Sequence, residues 1–312
     1  MLNYSNGMGS NFIEKFESYF ERDHIKSAKL NNALWYDYNR ALVPIGPAKF
    51  DYRLSEVQSK QLLSMFPKTL FIRSNNGFQE LSSCQSPLWY SIIKNTFLDR
   101  ENIKSYEARK KIKRGLEYCT VERVDANFIA KKGYDILFAA VKSYKGRVKI
   151  FIDEKGFIKR NKARNFYPEI FHYWGVFHNS KLIGYAENLI FDTIEASYST
   201  MKFLPEKFSL FPTYALVYSM DEYYLKKNNF EYVNDGFRNI LHDTNIQEFL
   251  IKNFDFFKQP TELYLYYKPI MNLIIRAVYP FRNLIANEKL ILPKVKAMIK
   301  LEEIRRNYSS IK

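Results

Sequence analysis

Residues 173–192, "YWGVFHNSKLIGYAENLIFD", constrain the fold more than any other stretch of the chain. Two runs of alternating apolar residues flank His178-Asn179-Ser180-Lys181, and a short polar turn between such runs reads as a β-hairpin. The segments around it keep a regular order. "CTVERVD" (119–125) and "IEASYSTMKF" (194–203) alternate like strands, the second with Glu195, Ser197 and Ser199 on one side, which predicts a polar edge of the sheet. "ANFIAKKGYDILFAAVKSY" (126–144) has helical periodicity through Gly133, and "KARNFYPEIFHY" (162–173) reads as a short helix bent at Pro168. "YALVYSMDEYYLKKN" (214–228) is a helix for which Thr213 is the candidate cap. "FEYVNDG" (230–236) is a strand, "NIQEFLIKNF" (245–254) a helix and "TELYLYYKP" (261–269) a last strand. Residues 118–267 therefore run strand, helix, helix, strand, hairpin, strand, helix, strand, helix, strand.

Upstream, "SYEARKKIKRGLEY" (105–118) is a helix with Ser105 as cap and Gly115 near its end. Ala108, Ile112 and Leu116 form its apolar stripe, and five of the six residues from Arg109 to Arg114 are basic. "SEVQSKQLLSMF" (55–66) reads as a helix capped by Ser55, and "TLFIRS" (69–74) as a strand. "ALVPIGPAKFDY" (41–52) holds two prolines and a glycine, which predicts an irregular or edge segment.

The formal net charge is +15, and its placement matters more than its total. Residues 100–164 hold 19 Lys/Arg against 8 Asp/Glu, and residues 268–312 hold 10 against 3, so two basic blocks flank a mildly acidic one. That distribution fits an anionic partner met by particular faces: a nucleotide, an RNA, a phospholipid or an acidic sugar. Plain solubility is the competing account. Two cysteines, Cys84 and Cys119, give no disulfide framework, and no Cys/His group has zinc-site spacing. No run of about 18 uncharged apolar residues occurs, so the expectation is a soluble cytoplasmic protein without a metal. In the tail, "MNLIIRAVYPFRNLI" (271–285) mixes apolar bulk with arginine. Pro280 splits its stripe, which favours packing on the core over a place on the inner face of a membrane.

The element order of 118–267 resembles that of the GNAT-type acyltransferases. The Arg-rich helix "ARKKIKRGL" before the first strand and "YVNDGFR" followed by "FLIKNFDF" are similar to the Fem-type branch, which builds peptidoglycan cross-bridges with aminoacyl groups. The resemblance implies an α/β (α+β) fold: a GNAT-like mixed, mostly antiparallel sheet flanked by helices. It divides the chain into an N-terminal lobe (1–99) that would be a degenerate second GNAT-like lobe, an acyltransferase domain (100–267) and a basic helical tail (268–312). It implies an acyl-CoA or an aminoacyl-tRNA as donor and a small-molecule, sugar or lipid-linked acceptor in cell-envelope or polysaccharide assembly. One departure stands out. The family's glycine-containing loop, whose amides cradle the pyrophosphate of CoA, corresponds to "LPEKFSLFPT" (204–213), which has no glycine.

Acyl transfer needs a base, an oxyanion site and positioning. Asp235, at the predicted mouth of its strand, is the candidate base; an ordinary Asn-Asp-Gly turn is the plainer account of it. His242 is the histidine best placed for base work, and Glu187 is a carboxylate inside a strand. Arg109, Lys113 and Arg114 are candidates for phosphate contact, with Thr213 and Tyr214 at the start of the next helix. Arg238, Asn188, Asn234 and Ser197 are the candidate substrate contacts. A different class of function fits the same charge: a non-catalytic protein that holds RNA or an anionic membrane surface.

Overall fold

A computed structural model describes residues 11–80, 88–143, 153–240, 245–287 and 293–309. The N-terminal part carries α1 (Asn11–Arg22), β1 (Ser27–Leu30), β2 (Ala33–Tyr38), β3 (Ala41–Ile45), α2 (Glu56–Met65), β4 (Phe71–Phe78) and β5 (Tyr90–Lys94). Then come α3 (Tyr106–Tyr118), β6 (Thr120–Val124), α4 (Ala126–Lys132), α5 (Tyr134–Lys142) and α6 (Glu154–Arg164). The hairpin is β7 (Phe171–His178) and β8 (Lys181–Phe191), followed by β9 (Glu195–Phe203), α7 (Pro212–Asp221), β10 (Tyr232–Phe237), α8 (Ile246–Phe254) and β11 (Phe257–Tyr267). The chain ends in α9 (Pro269–Val278), α10 (Arg282–Asn287) and α11 (Pro293–Ser309).

All eleven described strands join one mixed, mostly antiparallel sheet in the order β1-β2-β3-β4-β11-β5-β10-β9-β8-β7-β6. The order contains the same unit twice. In each, three antiparallel strands lead through a helix to a fourth strand that lies parallel to the third: β1-β2-β3, α2, β4 and β7-β8-β9, α7, β10. The parallel contact is short both times, two residue pairs for β3 and β4 and three for β9 and β10. The last strands are exchanged between the units. β5 crosses over to pair with β10, β11 crosses back to pair with β4, and β5 and β11 pair with each other at the centre.

Local chemistry explains most elements. Ser55 caps α2 with a complete capping box through Gln58, and the Ser105 hydroxyl accepts from the Ala108 N–H at the start of α3. The turn of the hairpin places Asn179 and Ser180 at φ values of 49° and 61°, which a two-residue connection matched to strand twist requires. Gly133 stands at the junction of α4 and α5, which divide one expected helix, and an added Cβ there would meet the Ile129 backbone oxygen at 2.8 Å.

Several expectations are corrected. The helix expected at 162–173 instead lies at 154–164, and Phe171 already belongs to β7. The segment with two prolines is not an edge: Ala41–Ile45 forms β3 inside the sheet. Its contact with β4 ends at Leu42, so Pro44 faces a side where no ladder N–H is needed. β9, with Glu195 and Ser197, is interior as well. In α3, Gly115 rather than Leu116 completes the buried stripe with Ala108 and Ile112.

Two layers cover the second unit. Ile92, Ile112, Leu216, Met220, Val233 and Leu250 share a core on the side of α3, α7 and α8. On the opposite side, Phe12 and Phe16 of the N-terminal α1 pack edge-on against Phe191 and Phe171 at 5.4 and 5.8 Å. The N-terminal part thus supplies both the strand inserted beside β10 and a helix of this core. A fragment of residues 100–312 should therefore show no cooperative urea transition by near-UV circular dichroism. A sigmoidal transition with a native-like spectrum would show instead that the two halves fold independently.

Candidate active site

β9 and β10 run side by side from Glu195/Tyr232 to Ser197/Asn234 and then separate. A buried carboxylate holds them together up to that point. Glu195 Oε2 accepts from Tyr232 OH (2.5 Å) and from the Ala48 N–H (2.7 Å), and Oε1 accepts from Asn234 Nδ2 (2.9 Å). Burial lifts this carboxyl above its ordinary value, while those donors pull it back. Asn234 Oδ1 in turn accepts from the Ser91 hydroxyl and from the Gly236 N–H, each at 2.7 Å. The side chain of Asn234 is therefore spent on building the site. The Asn-Asp-Gly sequence is not a turn here; it is an irregularity within β10 against β5, with Gly236 at φ 88°.

Asp235 is the first residue past the last parallel pair. It is half-buried, no cation pairs with it among the described residues, and burial alone pushes its carboxyl up to about 7. Asp235 and Arg238 form no ion pair among the described residues, although a local turn would have allowed one. Arg238 instead donates to the Leu88 carbonyl at 2.8 Å, beside the Tyr90 ring.

β9 leads to α7 and β10 leads to α8, and the starts of both helices line a groove of ≈ 500 Å³ with Lys111, Phe208, Phe211, Thr213, Tyr214, Asn245, Ile246 and Phe249. The groove is lined by the segments that follow the carboxyl ends of the two strands, the region where α/β sheets take ligands, and neither Asp235 nor any residue of β9 or β10 lines it. Thr213 and Tyr214 are thus at the groove, although Thr213 is not the cap of α7. Phe211 occupies that position with φ 56°, a left-handed conformation for which a glycine would ordinarily be chosen, and Pro212 follows it. Pro212 has no N–H, and the N–H groups of Tyr214 and Ala215 both donate to the Phe211 carbonyl. A multi-amide cradle for a pyrophosphate is therefore missing, in keeping with the missing glycine. Cations stand there instead: Lys111 Nζ lies 5.6 Å from the Tyr214 ring centre and the Arg114 guanidinium 5.2 Å from that of Phe211.

The other sequence candidates lie elsewhere. Glu187 is on the α1/α6 side of the sheet, in an ion pair with Arg164 that is buried together with Tyr173, and the structure does not bring it to Asp235. Asn188 points to the opposite side, where Nδ2 contacts Tyr224 OH and Met220 Sδ, each at 3.2 Å. Its Oδ1 is buried without a partner. Ser197 pairs with Asn234 across the parallel ladder and shares the Glu195 side. Arg109 is turned back onto the Ile103 carbonyl at 2.5 Å, and Lys113 faces solvent beside Glu117. His242 lies outside the described residues. Burial pushes the Cys119 thiol up to about 11, which keeps it protonated.

The sequence reading did not single out Glu195, Phe211 or Lys111 individually. It also missed the buried Lys94–Asp221 pair at 2.8 Å, whose aspartate accepts from Tyr198 OH as well. Lys94 comes from β5 and Asp221 from α7, so no local pattern links them. A lysine within the apolar run "YSIIK" (90–94) was the available signal.

No family model matches the chain, and no curated protein matches it. Solved structures do. One is the C-terminal domain of a putative lysylphosphatidylglycerol synthetase from Agrobacterium fabrum, with 13% identity and a TM-score of 0.51 over 86% of this chain and 95% of that one. Another is FemX, with 10% identity and a TM-score of 0.52 over 83% of this chain and 93% of that one. At such identities the likeness is one of fold. The fold expected from the element order, a GNAT-like mixed, mostly antiparallel sheet flanked by helices, is the fold found, with its strand-helix unit present twice.

Two outcomes follow from the geometry. Asp235 keeps its proton in the folded chain up to about pH 7, whereas the unfolded chain loses it near pH 4, so its contribution is full below pH 4 and lost as pH rises to about 7. Asp235→Asn should gain roughly 2–4 kcal/mol relative to wild type across that window in urea titrations, and the difference should stay flat above it. A Cβ on Gly115 would meet the Phe211 carbonyl at 2.7 Å and Ala215 N at 3.2 Å. Gly115→Ala should destabilise the fold by about 1–3 kcal/mol in the same assay.

Proposed function

We propose that the protein transfers an acyl or aminoacyl group from an activated donor to an amine or hydroxyl acceptor, with Asp235 as general base. One observation carries the reading: a carboxyl that titrates near neutrality stands where two parallel strands part, and both strands lead to an open groove. The acceptor's N–H or O–H gives its proton to the Asp235 carboxylate as its lone pair attacks the donor carbonyl. The carrier then leaves with the bonding electron pair. Among the described residues no strand pairs with β9 on the β10 side beyond Ser197, which leaves backbone groups there that could receive the oxyanion.

The donor is activated by an anionic carrier gripped by Lys111 and Arg114 rather than by backbone amides. That favours a charged tRNA over an acyl-CoA, whose pyrophosphate would find few free N–H groups at the start of α7. Assembly of the cell envelope is the setting we favour. The Fem-type resemblance supports it, as does the fold shared with a putative lysylphosphatidylglycerol synthetase, a name that puts a lysyl group on a phospholipid. The test offers the protein acyl-CoAs and charged tRNAs with amine and hydroxyl acceptors. We expect transfer whose rate rises with pH to a plateau above about 7, and a loss of ~10²–10⁴-fold in Asp235→Asn with donor binding retained. Steeply salt-dependent RNA binding with no transfer from any donor would favour a non-catalytic binder instead.

A further inference from the structure

The outer side of α9 and α10 belongs neither to the sheet's core nor to the groove. On the inner side, Ile275 is buried, with Met271, Val278 and Ile285 packed beside it against the core formed with β11 and α11. The opposite side is equally apolar and bare. Ile270, Leu273 and Ile274 are 70%, 68% and 48% exposed, and Phe281 and Leu284 are 59% and 70% exposed. Ala277 is exposed between them. At 100° per residue, Ile270, Leu273, Ile274 and Ala277 fall within an arc of about 100°, where a helix that meets only water carries polar groups. Single exposed apolar residues need no explanation, but six on successive turns do.

Charge says what covers this face. Residues 268–287 contain Lys268, Arg276 and Arg282 and no Asp or Glu. Arg276 is exposed, about 60° around the helix from Leu273. The guanidiniums of Arg282 and Arg306 lie 4.8 and 3.8 Å from the ring centre of Tyr279. Both acids of α11 are paired, Glu302 with Arg305 and Arg306 and Glu303 with Lys300. An apolar arc flanked by Lys268, Arg276 and Arg282, on two helices that themselves carry no acid, is what an interfacial segment presents to an anionic bilayer. Among the described residues no helix is long and apolar enough to cross a membrane.

We propose that α9 and α10 dock the protein on an anionic lipid surface. They lie in the headgroup plane, with Ile270, Leu273, Ile274, Phe281 and Leu284 at the acyl boundary. The inference rests on this face alone and stands apart from the transferase reading. Co-sedimentation of the full chain with vesicles of phosphatidylcholine, with and without phosphatidylglycerol, tests it. We expect binding to the anionic vesicles and at least ~10-fold weaker binding to the neutral ones. Leu273→Asp with Leu284→Asp should weaken binding ~10-fold or more without lowering the thermal midpoint, because both side chains are exposed. Arg276→Glu with Arg282→Glu should remove the preference for phosphatidylglycerol. Absence of binding, equal binding to neutral vesicles, or an unaffected Leu273/Leu284 variant would overturn the proposal. So would a dimer that this variant splits, which would assign the face to a second copy of the chain.

Discussion

The parallel contact between β9 and β10 is three residue pairs long, and the site depends on its ending there. Continuous pairing would satisfy the backbone and leave no opening. What limits it is a set of buried hydrogen bonds around Glu195 and Asn234. Glu195 ties Tyr232 and Asn234 of β10 to β9, and Asn234 turns back to the Gly236 N–H and the Ser91 hydroxyl. The strand is thereby held flush through Asn234 and bent immediately after it. Asp235 is left at the point of separation, buried enough to hold its proton near neutrality. Because the Ala48 N–H is one of the donors to Glu195, the N-terminal unit takes part in fixing the opening. Its β5 also forms the other flank of β10.

The packing of α3 against the start of α7, beside the groove, is a second constraint. Gly115 lets α3 approach α7 so closely that no side chain fits between them, and Phe211 takes the left-handed position at the head of α7. With Pro212 next in line, the helix start offers few free amides. Lys111 and Arg114 stand over the aromatic rings beside it. Under the proposed function, side chains on α3 rather than backbone amides would meet the anionic carrier there.

The fold was legible in the sequence where period and turn chemistry agree. The hairpin at Asn179-Ser180, the caps at Ser55 and Ser105 and the elements from β9 to β11 needed only local patterns, whereas the order ahead of the hairpin differs: among the described residues α4, α5 and α6 precede β7, with no separate strand before the hairpin. The strand exchange was not legible, because β5 and β11 lie more than 150 residues apart and pair only once both units exist. Pro44 misled for a related reason: a proline forbids a central strand only where its N–H would be paired, and β3 and β4 have already parted there. Within the site, Asp235 was readable as an acid at a strand end. Asn234 read as a contact for substrate but builds the bend. Glu187 read as a candidate catalytic carboxylate inside a strand, yet its Arg164 partner comes from a helix whose position the periodicity had misplaced. Glu195 passed as one polar residue of a wet edge and is instead the buried tie between two strands.

A structure with a hydrolysis-resistant donor analogue tests the account most directly. The account predicts the analogue's carbonyl in the gap between β9 and β10, within hydrogen-bonding reach of the backbone beyond Ser197, with Asp235 facing it and the carrier along Lys111 and Arg114. An analogue bound away from that gap, with β9 and β10 closed on each other past Asn234, would contradict it.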